Sequence, residues 1–269
     1  MPKKRLLQLT ASFAVIIPYT SAIVFVLGTA LGPAKGIAAA LAFFAALVVI
    51  GVSPAGEKFF HAGTGLRDLN EEEKAVVLPA WERVCAAAGV DPSSFCLKAV
   101  NLNIPNAFAV GLRTVAVTPA LLREADHEEL CGVLAHELGH RLHDVFVLIY
   151  LELIAQMVAT LLALIMTVLY AFALAVVPPQ ATKEVLAAAA AALLPVWAAV
   201  AAGQINASFL RPAQKMRSEL EADRFAAQIG FGYGFLRLTY RLFWVRHMPM
   251  DEKFTFLRLR KLYQAVQEG

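Results

Sequence analysis

The sequence predicts a mostly α-helical α+β protein, in which a water-facing domain with a small antiparallel sheet is fused to four transmembrane helices. Three observations predict it. The 269 residues are 59% hydrophobic and 17% charged, with mean hydropathy +0.61, whereas soluble domains run nearer 45–50% and about 25%. Uncharged runs of about 20 residues, the length that crosses roughly 30 Å of hydrocarbon, alternate with charge-rich blocks. Inside the first charge-rich block, an amphipathic helix pattern lies beside short stretches rich in Val, Ala and Leu. So apolar a chain, with net charge +3, is not disordered. Its three cysteines contain no CxxC pair, which argues against a disulfide framework and for a reducing compartment.

The blocks follow in order. Residues 1–56 form a two-span membrane hairpin: 12–31 and 36–56 carry no charge, and Gly32-Pro33-Ala34-Lys35 makes the turn. The second apolar run following at once argues against a cleaved leader. Residues 57–144 hold 8 Lys+Arg against 13 Asp+Glu and form the water-facing domain. Within it, 70–89 read as an amphipathic helix interrupted by Pro79, and 95–101 and 113–118 as strands. Residues 145–210 form a second hairpin, spans 145–177 and 185–210 turning at Pro178-Pro179, with Glu152 the one charge in its first span. Glu152 reads as an interfacial group paired with a base rather than a transport site. Residues 211–269 hold 11 Lys+Arg against 6 Asp+Glu and return to the polar side. Lys3, Lys4 and Arg5 at the start, and Arg211, Lys215 and Arg217 after the last span, place both termini and both polar blocks in the cytoplasm. The basic tail reads as a membrane-flanking surface, with no nucleic-acid partner.

Residues 136–140 read His-Glu-Leu-Gly-His. On a helix, positions i and i+4 share a face, so both imidazoles reach one ion. The glutamate after the first histidine is placed to act on water beside that ion. Acids at 126–129 and apolar residues at 130, 133, 134 and 138 support a helix there. A catalytic zinc takes three protein ligands, and the best source of the third is Glu219-Leu220-Glu221-Ala222-Asp223. Glu219 and Asp223 share a helix face while Glu221 points elsewhere. Either glutamate can serve, with Asp223 in support.

Taken together, these motifs resemble the HtpX-like and type I CAAX-prenyl-protease group of integral-membrane zinc metalloproteases. Val133 to His140 with Asp144 is similar to that family's metal helix, and Glu219-x-x-Ala222-Asp223 to its ExxAD motif. Two spans before the first motif and two between the motifs match the family's order. The resemblance implies a zincin-like catalytic domain whose C-terminal part, 211–269, brings the third ligand. It implies one Zn2+ per chain held by His136, His140 and Glu219, with Glu137 catalytic and Asp223 and Asp144 supporting. Asn106-Ala107-Phe108 resembles the family's substrate-contacting segment. His247-x-Pro249-x-x-x-Lys253 resembles a segment whose histidine and arginine stabilise the oxyanion, here with lysine for arginine.

Zincins bind peptide as a strand added to a sheet edge. Because 113–118 falls between the Asn106 segment and the metal helix, Val115, Ala116 and Val117 are expected to form that edge. The implied function is a metalloendopeptidase of the cell membrane, multi-pass in the lipid bilayer and cutting unfolded, damaged or membrane proteins. The alternative is a non-proteolytic transporter or scaffold with a structural zinc site. The intact set of Glu137 and ligands argues against a catalytically dead scaffold.

Overall fold

The computed structural model describes residues 3–51, 53, 65–110, 113–143, 146–176, 178, 180, 182–242 and 252–268. The chain is mostly helical and separates into two compact units: Met1–Ser53 with Val147–Gln214, and Pro54–Phe146 with Lys215–Gly269.

The first unit contains α1 (Lys3–Leu31), α2 (Pro33–Gly51), α6 (Phe146–Val176) and the first part of α7 (Thr182–Gln228). Its core joins Val15, Tyr19 and Ile23 of α1 to Ala155, Ala159 and Ala163 of α6 and to Val196, Val200 and Ala207 of α7. The alanines recur every four residues, so small side chains line one face and let helices approach closely. Gly203 does the same for α7, since a Cβ there would lie 2.5 Å from Cζ of Tyr19. Glu152, 2% exposed, pairs with Arg211 at 2.5 Å, and Arg211 also donates to Gln156 at 2.9 Å. Two helices among the described residues are long and apolar enough to cross a membrane: Ala155–Val176 and α7. Only 11% of the apolar window of the first is buried, which is unlike the core helix of a soluble protein. The apolar helices Ala14–Gly28 and Pro33–Phe43 are shorter.

The second unit is built on a four-stranded sheet in the order β1-β2-β4-β3. The strands are β1 (Leu66–Arg67), β2 (Cys96–Val100), β3 (Ala107–Val110) and β4 (Thr114–Val117). The sheet is mixed rather than antiparallel as expected. β3 runs antiparallel to β4 on its far side, so β4 returns parallel to β2. Asn70 starts α3 (Glu71–Ala88) with a reciprocal cap to Glu73. α3 continues through Pro79 instead of breaking there. Thr118 caps the short α4 (Pro119–Glu124) through the Leu121 N–H.

Helix α5 (His127–His143) runs through the middle of this unit. Its apolar face (Leu130, Leu134, Leu138) joins Trp81, Val84, Val115 and Val117 in one core. Asp126 and Glu129 cap its start reciprocally. Glu129, 4% exposed, is neutralised by Arg237 at 3.2 Å and Arg241 at 2.6 Å. Arg237 belongs to α8 (Gly232–Tyr240), which crosses α5 at backbone contact. A Cβ on Gly132 would stand 2.2 Å from the Phe235 nitrogen, and one on Gly234 2.1 Å from the Glu128 oxygen. α9 (Glu252–Glu268) docks through Leu262, 2% exposed.

Candidate active site

α5 presents His136 and His140 one turn apart, with Nε2 atoms 3.1 Å apart. The second part of α7 faces them with Glu219, whose oxygens lie 3.6 Å from His136 Nε2 and 3.9 Å from His140 Nε2. Gly139 allows this approach, since a Cβ there would stand 2.9 Å from Cα of Ala222. Tetrahedral bonds of about 2.0–2.1 Å put donor atoms roughly 3.3 Å apart; one donor atom from each of the three residues lies within 4.8 Å of the others, close enough to converge on one small ion. These are the residues among those described that could hold a metal together. Two imidazoles and one carboxylate are also the donor set of a catalytic rather than a closed structural zinc site.

Each ring is held from behind. The Asp223 carboxylate stands behind His136, with Oδ1 2.9 Å from its Nδ1. Nδ1 of His140 meets the Ser218 hydroxyl at 3.0 Å. With Nδ1 occupied, each ring turns Nε2 to the shared point. Phe235 stacks on His136 with centroids 4.4 Å apart and planes at 15°. From α9, Arg258 bonds Asp223 through two nitrogens (2.9 and 2.7 Å) and Glu219 through the third (2.6 Å).

Charge follows this layout. Burial alone would lower the His136 pKa, but the Asp223 and Glu219 carboxylates outweigh it and take the metal-free ring up to about 9. Burial opposes ionisation of Glu219, yet His136 and Arg258 hold it down to about 2. Asp223 is lowered against its burial by Arg258 and His136. Glu137, 8% exposed, is pushed up, chiefly by burial. The Ala109 N–H acts the other way, favouring the ionised carboxylate, and is outweighed.

The expected edge strand is a correction. β4 is paired on both sides, to β2 and to β3, and Val115, Ala116 and Val117 are fully buried. No backbone group there remains for a substrate. The edge beside α5 is β3. The Thr118 N–H donates to the Asn106 carbonyl and the Asn106 N–H to the Thr118 hydroxyl oxygen, so Asn106 faces β4 and by alternation Phe108 and Val110 also bond inward. Ala107 and Ala109 face outward. The Asn106 side chain takes up the Ala107 N–H at 2.9 Å. Of the expected contact residues, Ala107 alone turns its backbone to the free edge, and Ala109 joins it.

His136, Glu137, His140, Glu219 and Asp223 thus come together. Glu221 is not in the group that could hold a metal. Asp144, His247 and the Lys253 side chain lie outside the described residues. The sequence reading missed Ser218, Phe235 and Arg258. Ser218 sits directly before the ExxAD motif, which was a usable signal. Arg258 and Phe235 reach the site only through the packing of α8 and α9.

Two histidines and a carboxylate around one point, with a buried glutamate beside a strand edge, define a metallopeptidase-type centre. The model of peptidase family M48 matches residues 72–248, two-thirds of the chain. The chain belongs to peptidase family M48, and the family together with this donor group implies a metal cofactor. It is similar to the protease HtpX homologue of Halobacterium salinarum, 36% identical over 105 residues, which are 38% of this chain and 36% of that protein. The HtpX homologue of Acidiphilium cryptum is 33% identical over 129 residues, 46% of this chain and 43% of the relative. Protease HtpX of Legionella pneumophila is 48% identical over 48 residues, 16% and 17% of the two chains. The chain thus spans less than half the length of the curated relatives it matches.

Proposed function

We propose that the chain is a membrane-embedded zinc metalloendopeptidase with a zincin-type catalytic domain, acting on extended segments of unfolded or membrane proteins. The observation that carries this reading is the convergence of His136, His140 and Glu219 beside buried Glu137 and the free edge of β3. Bound there, zinc would supply a Lewis acid that polarises a carbonyl and acidifies water. Glu137 takes a proton from the attacking water and returns it to the leaving amine, a cycle that its raised pKa suits. The peptide lies along β3, where the Ala107 and Ala109 carbonyls accept its N–H groups. Backbone pairing demands no fixed sequence, which suits a quality-control protease. His247 and Lys253 remain candidates for stabilising the oxyanion, and Asp144 for support of the metal helix.

The same proposal includes four spans, with α1 and α2 as the first hairpin (1–56) and 145–210 as the second. Segments 57–144 and 211–269 then compose the cytoplasmic catalytic domain. Its test uses the full chain in detergent. Wild type should hold one zinc and cleave casein until chelated, and Glu137→Gln should keep the zinc and lose about 100-fold or more of the cleavage. Wild-type cleavage by Glu137→Gln overturns the assignment. For topology, cysteines at Ala34 and Gln180 should label from outside intact cells, and one at Gln228 should not.

A further inference from the structure

We propose that Arg258 is a positioning residue which holds Glu219 as a one-oxygen ligand by bridging it to Asp223. The inference rests on reading the site as a metal centre.

One guanidinium spans two carboxylates. Nε and one terminal nitrogen of Arg258 take Oδ2 and Oδ1 of Asp223, and the other terminal nitrogen takes Oε2 of Glu219 at 2.6 Å. Asp223 Oδ1 also lies 2.9 Å from His136 Nδ1. Three of the four carboxylate oxygens are therefore committed to cations or imidazole. Oε2, which Arg258 holds, stays 3.6 Å from His136 Nε2, while Oε1, 3.9 Å from His140 Nε2, carries no bond to Arg258 and is the oxygen left for the ion. A carboxylate with one oxygen in a strong charged bond offers its metal one donor, which keeps a coordination position open for substrate.

The fold supports this grip. Arg258 and Leu262 lie one turn apart on α9, so the same face that buries Leu262 in the core delivers the guanidinium. The side chain is 17% exposed, and its head lies 5.9 Å from the Phe235 ring that stacks on His136. It touches the His136 side of the site by two routes, one ionic and one through an aromatic face. Charge adds a reason. Glu137, Glu219 and Asp223 bring three carboxylates to one buried site, and Arg258 with a divalent cation balances them. Lysine cannot replace this fork, because an ammonium is a point charge that does not span both acids. Lys253, where the resemblance places a basic residue, precedes Arg258 by five positions in the sequence.

The full chain in detergent is loaded with cobalt(II), whose visible absorption per ion falls as coordination rises from four to five. Wild type should take up one cobalt per chain and show intense four-coordinate bands. Arg258→Met should bind cobalt with bands at least twofold weaker, because Glu219 now offers both oxygens. Arg258→Lys should stay near the Met value. A wild-type spectrum from Arg258→Met, or full recovery in Arg258→Lys, overturns the proposal. If Arg258→Met does not fold, Arg258→Lys decides it by the same criterion. Wild type without stoichiometric cobalt would overturn the metal-centre reading itself, a result distinct from either variant outcome.

Discussion

The Asp223 carboxylate lies 2.9 Å from Nδ1 of His136, on the same helix that carries Glu219 one turn earlier. One helix face thus supplies a third ligand and the group that orients the first. His140 has a weaker holder, the Ser218 hydroxyl.

The two holders should therefore differ in effect. Asp223→Asn removes the anion behind His136 and should weaken metal binding by about 10–100-fold. Ser218→Ala removes a neutral partner and should weaken it less, by about tenfold at most. Competition against a chromophoric chelator measures both, and an equal loss would refute the ranking.

Proton linkage gives a second test. The metal-free His136 pKa is raised from 6.5 to about 9, so its protonated form stabilises the fold fully below about pH 6.5. That contribution is lost as pH rises through about 9. The chelated protein should melt progressively lower over this window, and the metal-loaded protein should not show the trend. Glu219 is the opposite case: it stabilises above its ordinary 4.5 and loses this as pH falls towards about 2. Metal uptake at pH 7.5 should release a proton from His136, visible in calorimetry as heat that depends on the buffer. Buffer-independent heat would contradict it.

Gly139→Ala tests the approach of the two metal-bearing helices. Its Cβ would lie 2.9 Å from Cα of Ala222 and 3.2 Å from a Phe225 ring carbon. Backbone cannot yield as a flexible side chain does, so about 1–3 kcal/mol should be lost. Metal affinity should fall with it, because the displaced segment carries Glu219. Unchanged melting and unchanged metal content would show that the helices have slack.

Proline scanning separates edge from interior in the sheet. Ala116→Pro deletes a ladder bond in a doubly paired strand and should cost about 3 kcal/mol or more. Ala109→Pro touches no ladder bond and keeps the carbonyl; it removes the N–H whose interaction favours ionised Glu137. That variant should fold and bind metal yet cleave unfolded casein about tenfold more slowly. Equal cleavage by Ala109→Pro would show that the Ala109 N–H does not matter to Glu137.

What the sequence disclosed was set by distance along the chain. His136, His140, Glu219 and Asp223 obey the four-residue rule of a helix face, so their pairing needs no tertiary knowledge. Helix 70–89 and strands 95–101 and 113–118 were readable from local pattern, and emerge as Glu71–Ala88, Cys96–Val100 and Thr114–Val117. β3 has no legible pattern of its own: at four residues, Ala-Phe-Ala-Val, it is too short to alternate clearly, and its first two belong to the Asn106-Ala107-Phe108 motif. Missing it reversed the roles of edge and centre in the sheet. Arg258 and Phe235 act through the docking of α8 and α9, which no local pattern encodes. Glu152 was read as paired, and its partner Arg211 lies 59 residues away.

The glycine contact between α5 and α8 constrains how this sequence can drift. Gly132 and Gly234 face one crossing from opposite helices, and neither tolerates even a methyl group there. A methyl at either position meets backbone of the opposite helix, which trimming a side chain elsewhere does not move. The same crossing seats Phe235 against His136, so room for a side chain there can be made only by shifting the ring that backs the metal helix.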